Sequence, residues 1–136
     1  MYKYFISAIF FSLHLTGSAS AQFIARQHTV KDLNNGTNWL RCSVGQAWDP
    51  KLDTCTGKIV KLDHSQIAYA ITEAKRQLGG NWRLPTHAEL ESLICVACPP
   101  PKINSKYFPN ISPEAYWTSD KNALNPKTYW SINFMT

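Results

Sequence analysis

The sequence predicts a compact α+β domain with two short helices and a small, mostly antiparallel sheet. Three local patterns predict this fold class. Apolar residues recur at helical spacing between Ile67 and Leu78, a helix-capping pattern begins at Thr86, and apolar and polar residues alternate from Thr128 to Phe134. The chain has 136 residues, a length typical of one domain.

The N-terminus, residues 1–21, predicts a cleavable secretory signal. Lys3 supplies a positive charge, Phe5 to Leu15 are apolar, and Ala19-Ser20-Ala21 offers small residues to a signal peptidase. The apolar run is shorter than the roughly 20 residues that cross a bilayer, so we expect no membrane span. The sequence therefore predicts an exported protein, periplasmic, secreted or on the cell surface, with a single domain at residues 22–136.

All four cysteines follow the predicted signal, and an even number in an oxidising compartment favours disulfides. The shortest loops join Cys42 with Cys55 and Cys95 with Cys98, although three pairings exist. Two alternatives remain, a four-cysteine zinc site and a redox-active Cys-x-x-Cys motif. Export disfavours the reduced thiolates that zinc needs, and a redox motif normally opens a helix instead of following one. We therefore predict two structural disulfides, no metal and no cofactor.

The first half of the domain predicts short strands and turns. No clear period appears from Gln22 to Val30, and Asn35-Gly36 indicates a turn because both residues tolerate positive φ. Strands are expected at Thr37 to Cys42 and at Gly57 to Leu62. The loop between Cys42 and Cys55 lacks the alternating oxygen ligands of a calcium loop, so we predict a disulfide-closed turn there.

The first helix is expected to begin after Asp63 or Ser65 and to end at Gly79-Gly80. Its apolar residues lie on one face, which we expect to pack on the core: Ile67, Ala70, Ile71, Ala74 and Leu78.

A second helix is predicted by a capping box, in which the Thr86 side chain accepts from the Glu89 N–H and the Glu89 carboxylate accepts from the Thr86 N–H. Pro85 holds the preceding residue extended, so Trp82-Arg83-Leu84-Pro85 predicts a rigid entry to the helix. Arg83 is interpreted as a structural ion-pair partner of Glu89. The buried stripe of this helix is expected to be Leu90, Leu93 and Ile94.

The C-terminal segment predicts two strands, Tyr116 to Ser119 and Thr128 to Phe134. In the second strand Trp130, Ile132 and Phe134 share one face. The chain stops at Thr136, directly after this strand, and this abrupt end leads us to expect a C-terminal truncation.

Several segments, taken in order, resemble one bacterial family. They are Trp39-Leu40-Arg41-Cys42-Ser43-Val44-Gly45-Gln46, Cys55-Thr56-Gly57, Asn81-Trp82-Arg83-Leu84-Pro85-Thr86 with Glu89-Leu90, Tyr116-Trp117-Thr118-Ser119 and Tyr129-Trp130-Ser131-Ile132-Asn133-Phe134. Together they resemble the Lcl C-terminal domain family, long catalogued as a domain of unknown function and named for the head of a bacterial collagen-like adhesin. The resemblance covers residues 30–136.

The resemblance implies a C-type-lectin-like fold and, from the adhesin, a trimeric head that binds sulfated glycosaminoglycans through a basic surface. An oligomer is therefore one expectation. This chain lacks the collagen-like Gly-x-y repeat, and it lacks the Glu-Pro-Asn and Trp-Asn-Asp triplets with which sugar-binding C-type lectins hold calcium.

The charge and the aromatic residues indicate which class of binding partner to expect. The net charge is +5, and the basic residues are scattered along the chain, which favours anionic glycans or a cell-surface partner over nucleic acid. Four tryptophans are able to stack on sugar rings, but each lies beside a predicted element and is expected in the core: Trp39, Trp82, Trp117 and Trp130. The candidate ligand-binding residues are four bases expected to be exposed: Lys102, Lys106, Lys121 and Lys127.

The leading functional hypothesis is an exported, non-catalytic binding module of adhesin or lectin-like type that recognises sulfated or acidic polysaccharide. One alternative is a catalytically incompetent or truncated relative of formylglycine-generating-type enzymes, because Arg83-Leu84-Pro85-Thr86 also resembles a segment of those enzymes. Another alternative is an exported thiol/disulfide-active protein. No catalytic residues are predicted.

Overall fold

The structure is a computed structural model that describes residues 22–136, so the predicted signal at residues 1–21 lies outside the described residues. The elements, in chain order, are β1 (Phe23–Arg26), β2 (Thr29–Asp32), β3 (Asn38–Leu40), β4 (Gln46–Asp49), β5 (Thr54–Gly57), a 3-10 turn (His64–Gln66), α1 (Ile67–Leu78), α2 (His87–Glu91), β6 (Tyr116–Lys121) and β7 (Tyr129–Ile132). The strands form three antiparallel sheets, ordered β1-β2-β3, β4-β5 and β6-β7. The predicted α+β class is confirmed.

The β1–β2 hairpin is an element that the sequence pattern did not predict. Phe23 pairs with Asp32, and Gln27 takes a positive φ of 51° in the connecting turn. Most β1 side chains are exposed, and an exposed strand has no buried face to impose alternation. The next turn matches its prediction, because the buried Asp32 carboxylate accepts hydrogen bonds from the Asn34 and Asn35 N–H groups.

The strand predicted at Gly57 to Leu62 is wrong, because the strand lies earlier, at Thr54–Gly57. Cys55 pairs with Trp48 across the β4–β5 hairpin, and its disulfide joins β5 to Cys42 in the segment before β4. Gly57 has φ +100°, a conformation that side chains rarely adopt and that ends the strand. The disulfide-closed turn is confirmed, since Asp49 Oδ1 accepts from two backbone N–H groups of the turn.

The first predicted helix is confirmed from its start to its end. Asp63 and Gln66 form a capping box, and Gly79 ends the helix with φ 68°. The apolar face of α1, however, borders a cavity instead of joining the buried core cluster. Ile67 is buried, whereas Leu78 is 46% exposed.

The second helix is also present, but it is short and ends at Glu91. Its capping box forms as predicted. Leu90 and Leu93 are buried, while Ile94 is 39% exposed because the helix has ended before it and it instead forms an isolated bridge with Ile103. The core joins residues from distant parts of the chain: Val30, Leu90, Leu93, Ile103, Phe108, Ile132 and Phe134.

The C-terminal strands are confirmed as a hairpin, with an irregularity between Trp117 and Lys121. Ile132 and Phe134 are buried, as their shared face predicts. Among residues 22–136, neither helix combines the length and apolar character needed to cross a bilayer.

Candidate functional site

The Trp82 to Thr86 segment is a structural joint, as the sequence predicts. Arg83 donates two hydrogen bonds to the Glu89 carboxylate, at 2.8 and 2.7 Å, and a third to the Leu84 carbonyl oxygen at 2.9 Å. The same carboxylate accepts from the Thr86 N–H at 2.8 Å. Arg83 therefore fixes the carboxylate that caps α2.

These contacts change the acidity of the capping carboxyl group. Hydrogen bonds from Arg83, with a further one from the Thr86 backbone, lower the pKa of Glu89 from 4.5 to about 2. Glu89 is consequently ionised across the physiological pH range, and it serves as an acceptor and not as a proton donor.

The joint also fixes the β6–β7 hairpin against α2. The His87 N–H donates to Asp120 Oδ2 at 2.6 Å, and the Ser119 N–H donates to the Pro85 carbonyl oxygen at 2.9 Å. The His87 ring meets the Trp130 ring edge-on, with centroids 5.5 Å apart. The Arg-Leu-Pro-Thr segment thus positions the hairpin that carries two of the predicted ligand lysines.

The four tryptophans are dispersed over the domain. Trp39 packs against the core cluster, and Trp117 donates from Nε1 to the Leu62 carbonyl oxygen at 2.9 Å. Trp82 is half-buried. Trp130 is 48% exposed, so its predicted core position is wrong. Its strand lies at the surface there, and the His87 ring packs against the indole.

The four candidate lysines occupy three regions of the structure. Lys102 donates from Nζ to the Val96 and Cys98 carbonyl oxygens, which ties it to the Cys95–Cys98 loop. Lys106 lies over the ring of the adjacent Tyr107, 5.6 Å from the ring centroid.

The other two candidate lysines belong to one hairpin. Lys121 ends β6, and its Nζ is 5.9 Å from the centroid of the Tyr129 ring. Lys127 lies in the connecting loop, and both side chains are exposed. Two of the predicted bases therefore belong to the β6–β7 hairpin, whereas the other two lie elsewhere.

Both predicted disulfides are present, Cys42 with Cys55 and Cys95 with Cys98. All four cysteines of the chain are therefore oxidised, and no free thiol remains. Among residues 22–136, His, Cys, Asp and Glu side chains form no group able to hold a metal ion.

Arg41 is a buried residue whose role the sequence analysis missed. Its guanidinium donates to the carbonyl oxygens of Gln27, Lys106 and Tyr107, at 2.8 to 3.0 Å. The Trp48 ring lies 3.8 Å from the guanidinium carbon. Burial lowers the pKa of Arg41, yet arginine remains charged in proteins. An arginine beside a cysteine carries no local signal for such burial.

His64 is a second feature that sequence reasoning missed. Its ring stacks on Tyr129 with centroids 3.4 Å apart and meets Trp117 edge-on at 5.7 Å. The stack fastens the start of α1 to the β6–β7 hairpin. Periodicity does not reveal such contacts, because the partners lie far apart in the chain.

A cavity of about 880 Å³ lies between α1 and the core, and we call it the central groove. One side consists of the apolar face of α1, and the other includes Leu90, Leu93 and Phe108. Residues 36–44, which include β3, also line it. Such a volume lies within the range of ligand-binding clefts.

The comparisons with known proteins place the chain in a family. A family model described as the Lcl C-terminal domain matches residues 28–136. No curated protein and no solved structure gives a significant match. The match covers most of the chain and includes the capping joint, both disulfides and the β6–β7 hairpin, and the chain therefore belongs to the Lcl C-terminal domain family.

Proposed function

We propose that the chain is an exported, non-catalytic binding module of adhesin or lectin-like type that recognises sulfated or acidic polysaccharide. One observation carries the proposal: Lys121 and Lys127 share the β6–β7 hairpin, both are exposed, and neither has an ion-pair partner in the described part of the chain. Ammonium groups placed in this way attract sulfate and carboxylate groups.

Further features support the proposal. The family is named for an adhesin head, and the net charge of +5 favours an anionic partner. The α+β fold is compatible with a C-type-lectin-like architecture. Because every cysteine is in a disulfide, the chain offers no cysteine nucleophile of the kind that a formylglycine-generating-type enzyme requires. Export, an oligomeric assembly and a cell-surface partner complete the proposal.

Heparin affinity chromatography tests the ligand class. We expect the protein to elute at higher salt than a charge-matched control protein, and the double variant Lys121→Gln/Lys127→Gln to elute at lower salt than the unmodified protein. The matched control is Lys51→Gln/Lys58→Gln, which removes the same charge from exposed positions in the β4–β5 turn and directly after β5.

Equal loss of retention in both double variants would show that only net charge matters, and it would remove the assignment to the β6–β7 hairpin. Elution of the unmodified protein together with the charge-matched control would refute polysaccharide binding. Salt dependence alone is not sufficient, since all exposed charges are screened by salt.

A second candidate is a thiol/disulfide-active protein, favoured by the position of the Cys95–Cys98 loop. Val96, inside this loop, is 82% exposed, and Cys95 and Cys98 on either side are half-buried, so the loop lies at the surface. Insulin disulfide reduction by the purified protein in the presence of a dithiol tests this activity. A rate equal to that of the Cys95→Ser/Cys98→Ser variant would exclude it.

A further inference from the structure

We propose that the central groove binds an extended, uncharged polypeptide segment, which adds a strand to the free edge of β3. This interaction is independent of the lysines of the β6–β7 hairpin. It involves a different surface, a different class of ligand and main-chain hydrogen bonds in place of charge.

The register of the β2–β3 pair shows which backbone groups are free. The Arg41 N–H donates to His28 O, and the Asp32 N–H donates to Thr37 O. In an antiparallel pair, hydrogen-bonded and non-hydrogen-bonded positions alternate. Asn38 and Leu40 are therefore at non-hydrogen-bonded positions, and their N–H and C=O groups point away from β2.

This outward edge is unpaired. β3 is the last strand of its sheet, and both Asn38 and Leu40 line the central groove. Neither backbone N–H has a hydrogen-bond acceptor among residues 22–136. An unpaired edge beside an apolar wall is the arrangement to which an extended peptide adds as a strand.

Side-chain donors in the groove also require acceptors. The indole Nε1 atoms of Trp39 and Trp82 are buried and have no hydrogen-bond partner within residues 22–136, and the same is true of Thr37 Oγ1. All three residues line the groove. Buried donors are normally paired. Because these three atoms have almost no accessible surface, a movement of the groove wall must accompany the entry of a strand whose carbonyl oxygens accept from them.

Charge determines which peptide fits. The ionisable side chains in the groove wall are already paired, Arg83 with Glu89 and Lys61 with Glu114, while Arg41 is occupied by carbonyl oxygens. A charged side chain of a bound peptide would lose its hydration in the groove and would find no unpaired opposite charge there. The complementary occupant is therefore an uncharged strand with apolar residues at alternate positions.

Fluorescence polarisation with a labelled, end-capped Thr-Val-Thr-Val-Thr-Val-Thr peptide tests the proposal on protein expressed from the complete sequence. We expect saturable binding, and we expect Asn38→Pro to weaken it about tenfold, as the loss of an edge hydrogen bond and the bulk of the ring predict. The control Ala25→Pro likewise places proline at an exposed, outward-facing position, but on β1 at the opposite edge of the sheet. This variant should bind the peptide as tightly as the unmodified protein does.

N-methylated peptides give a second test that does not depend on folding of a variant. Methylation of the amides on one edge of the peptide should abolish binding, whereas methylation on the other edge should leave it intact. Absence of peptide binding, equal weakening by Ala25→Pro, or equal tolerance of both methylated peptides would overturn the proposal. A dimer that Asn38→Pro dissociates would also overturn it, since the occupant would then be a second copy of the chain.

Discussion

The buried guanidinium of Arg41 joins the end of β3 to two other segments, the β1–β2 turn through the Gln27 carbonyl oxygen and the loop before β6 through those of Lys106 and Tyr107. Its planar fork matches this arrangement of acceptors, and a lysine ammonium does not. At the scale of single residues, this polar interaction adds to the packing of Phe23 on Tyr107 and Phe108, which also links the N-terminal sheet to the loop before β6.

Replacement of Arg41 by lysine should therefore destabilise the fold. We expect Arg41→Lys to lower the free energy of unfolding by about 2 kcal/mol, because buried carbonyl oxygens lose their donors. Urea denaturation measures the change. Arg76→Lys, at an exposed arginine that pairs with Glu73, is the matched control and should stay within about 0.5 kcal/mol. A similar loss in both variants would contradict the role of Arg41.

The Glu89 carboxylate predicts a pH dependence. Its pKa is lowered to about 2 in the folded protein from an ordinary value of 4.5. The ionised group therefore stabilises the fold above pH 4.5, and this contribution is lost as the pH falls towards 2.

Glu89→Gln should be less stable than the unmodified protein at pH 7. The expected difference in the free energy of unfolding is only about 1 kcal/mol, because the Arg83 side chain is largely exposed. The difference between the two proteins should shrink between about pH 4.5 and 2. Urea denaturation at several pH values measures it. A difference that stays constant over this range would contradict the low pKa.

At the scale of elements, the two disulfides should contribute unequally. Cys42 and Cys55 are 13 residues apart, and Cys95 and Cys98 are 3 apart. Chain entropy predicts that Cys42→Ala/Cys55→Ala lowers the free energy of unfolding by about 3 kcal/mol and that Cys95→Ala/Cys98→Ala lowers it by about 2 kcal/mol. Chemical denaturation of both variants measures the ranking. The reverse ranking would show that local contacts, such as those of Lys102 with the smaller loop, outweigh chain entropy.

The β4–β5 hairpin depends on a close approach of backbone at Gly45. A Cβ there would lie 2.3 Å from the Lys58 carbonyl oxygen, whereas a Cβ at Gly36 would meet nothing within 4 Å. Both glycines have positive φ, 92° and 68°, so both alanine variants carry backbone strain of about 1 kcal/mol.

Gly45→Ala should therefore be more destabilising than Gly36→Ala, since only the former adds a steric clash with backbone. Thermal unfolding followed by circular dichroism provides the comparison. Equal melting temperatures would show that the hairpin and the segment after β5 move apart at no cost.

At the scale of the whole molecule, the main feature is that α1 stands beside the central groove while the core is built by α2 and the sheets. On the α1 side of the groove, Ala70, Ile71 and Ala74 stay partly exposed. The fold is therefore expected to gain stability when the groove is partly filled.

Ala74→Leu, which places a larger apolar side chain in the groove, should raise the free energy of unfolding by about 1 kcal/mol and weaken peptide binding. Ala68→Leu, on the exposed side of α1, makes the same change outside the groove and should affect neither property. Denaturation measures the free energy of unfolding of both variants, and fluorescence polarisation measures their peptide binding. Destabilisation by Ala74→Leu alone would show that the groove is too narrow to accept added volume.

Local chemistry made much of the fold predictable from the sequence. The capping boxes, the glycine that ends α1, the alternating C-terminal strand and the shortest cysteine loops all depend on neighbours within a few residues. The capping role of Arg83 and Glu89 was likewise predictable, because six positions separate the partners.

The sequence by itself thus determined the α+β class, the helix starts and the family, and it favoured the disulfide pairs that the structure contains. Only the tertiary structure decided that Arg41 is buried and that Trp130 is exposed. It also showed that Lys102 contacts the Cys95–Cys98 loop, whereas Lys121 and Lys127 share a hairpin. Finally, it revealed the groove that separates α1 from the core. These features depend on contacts between residues distant in the chain, and periodicity and local propensity contain no information about which distant segments meet.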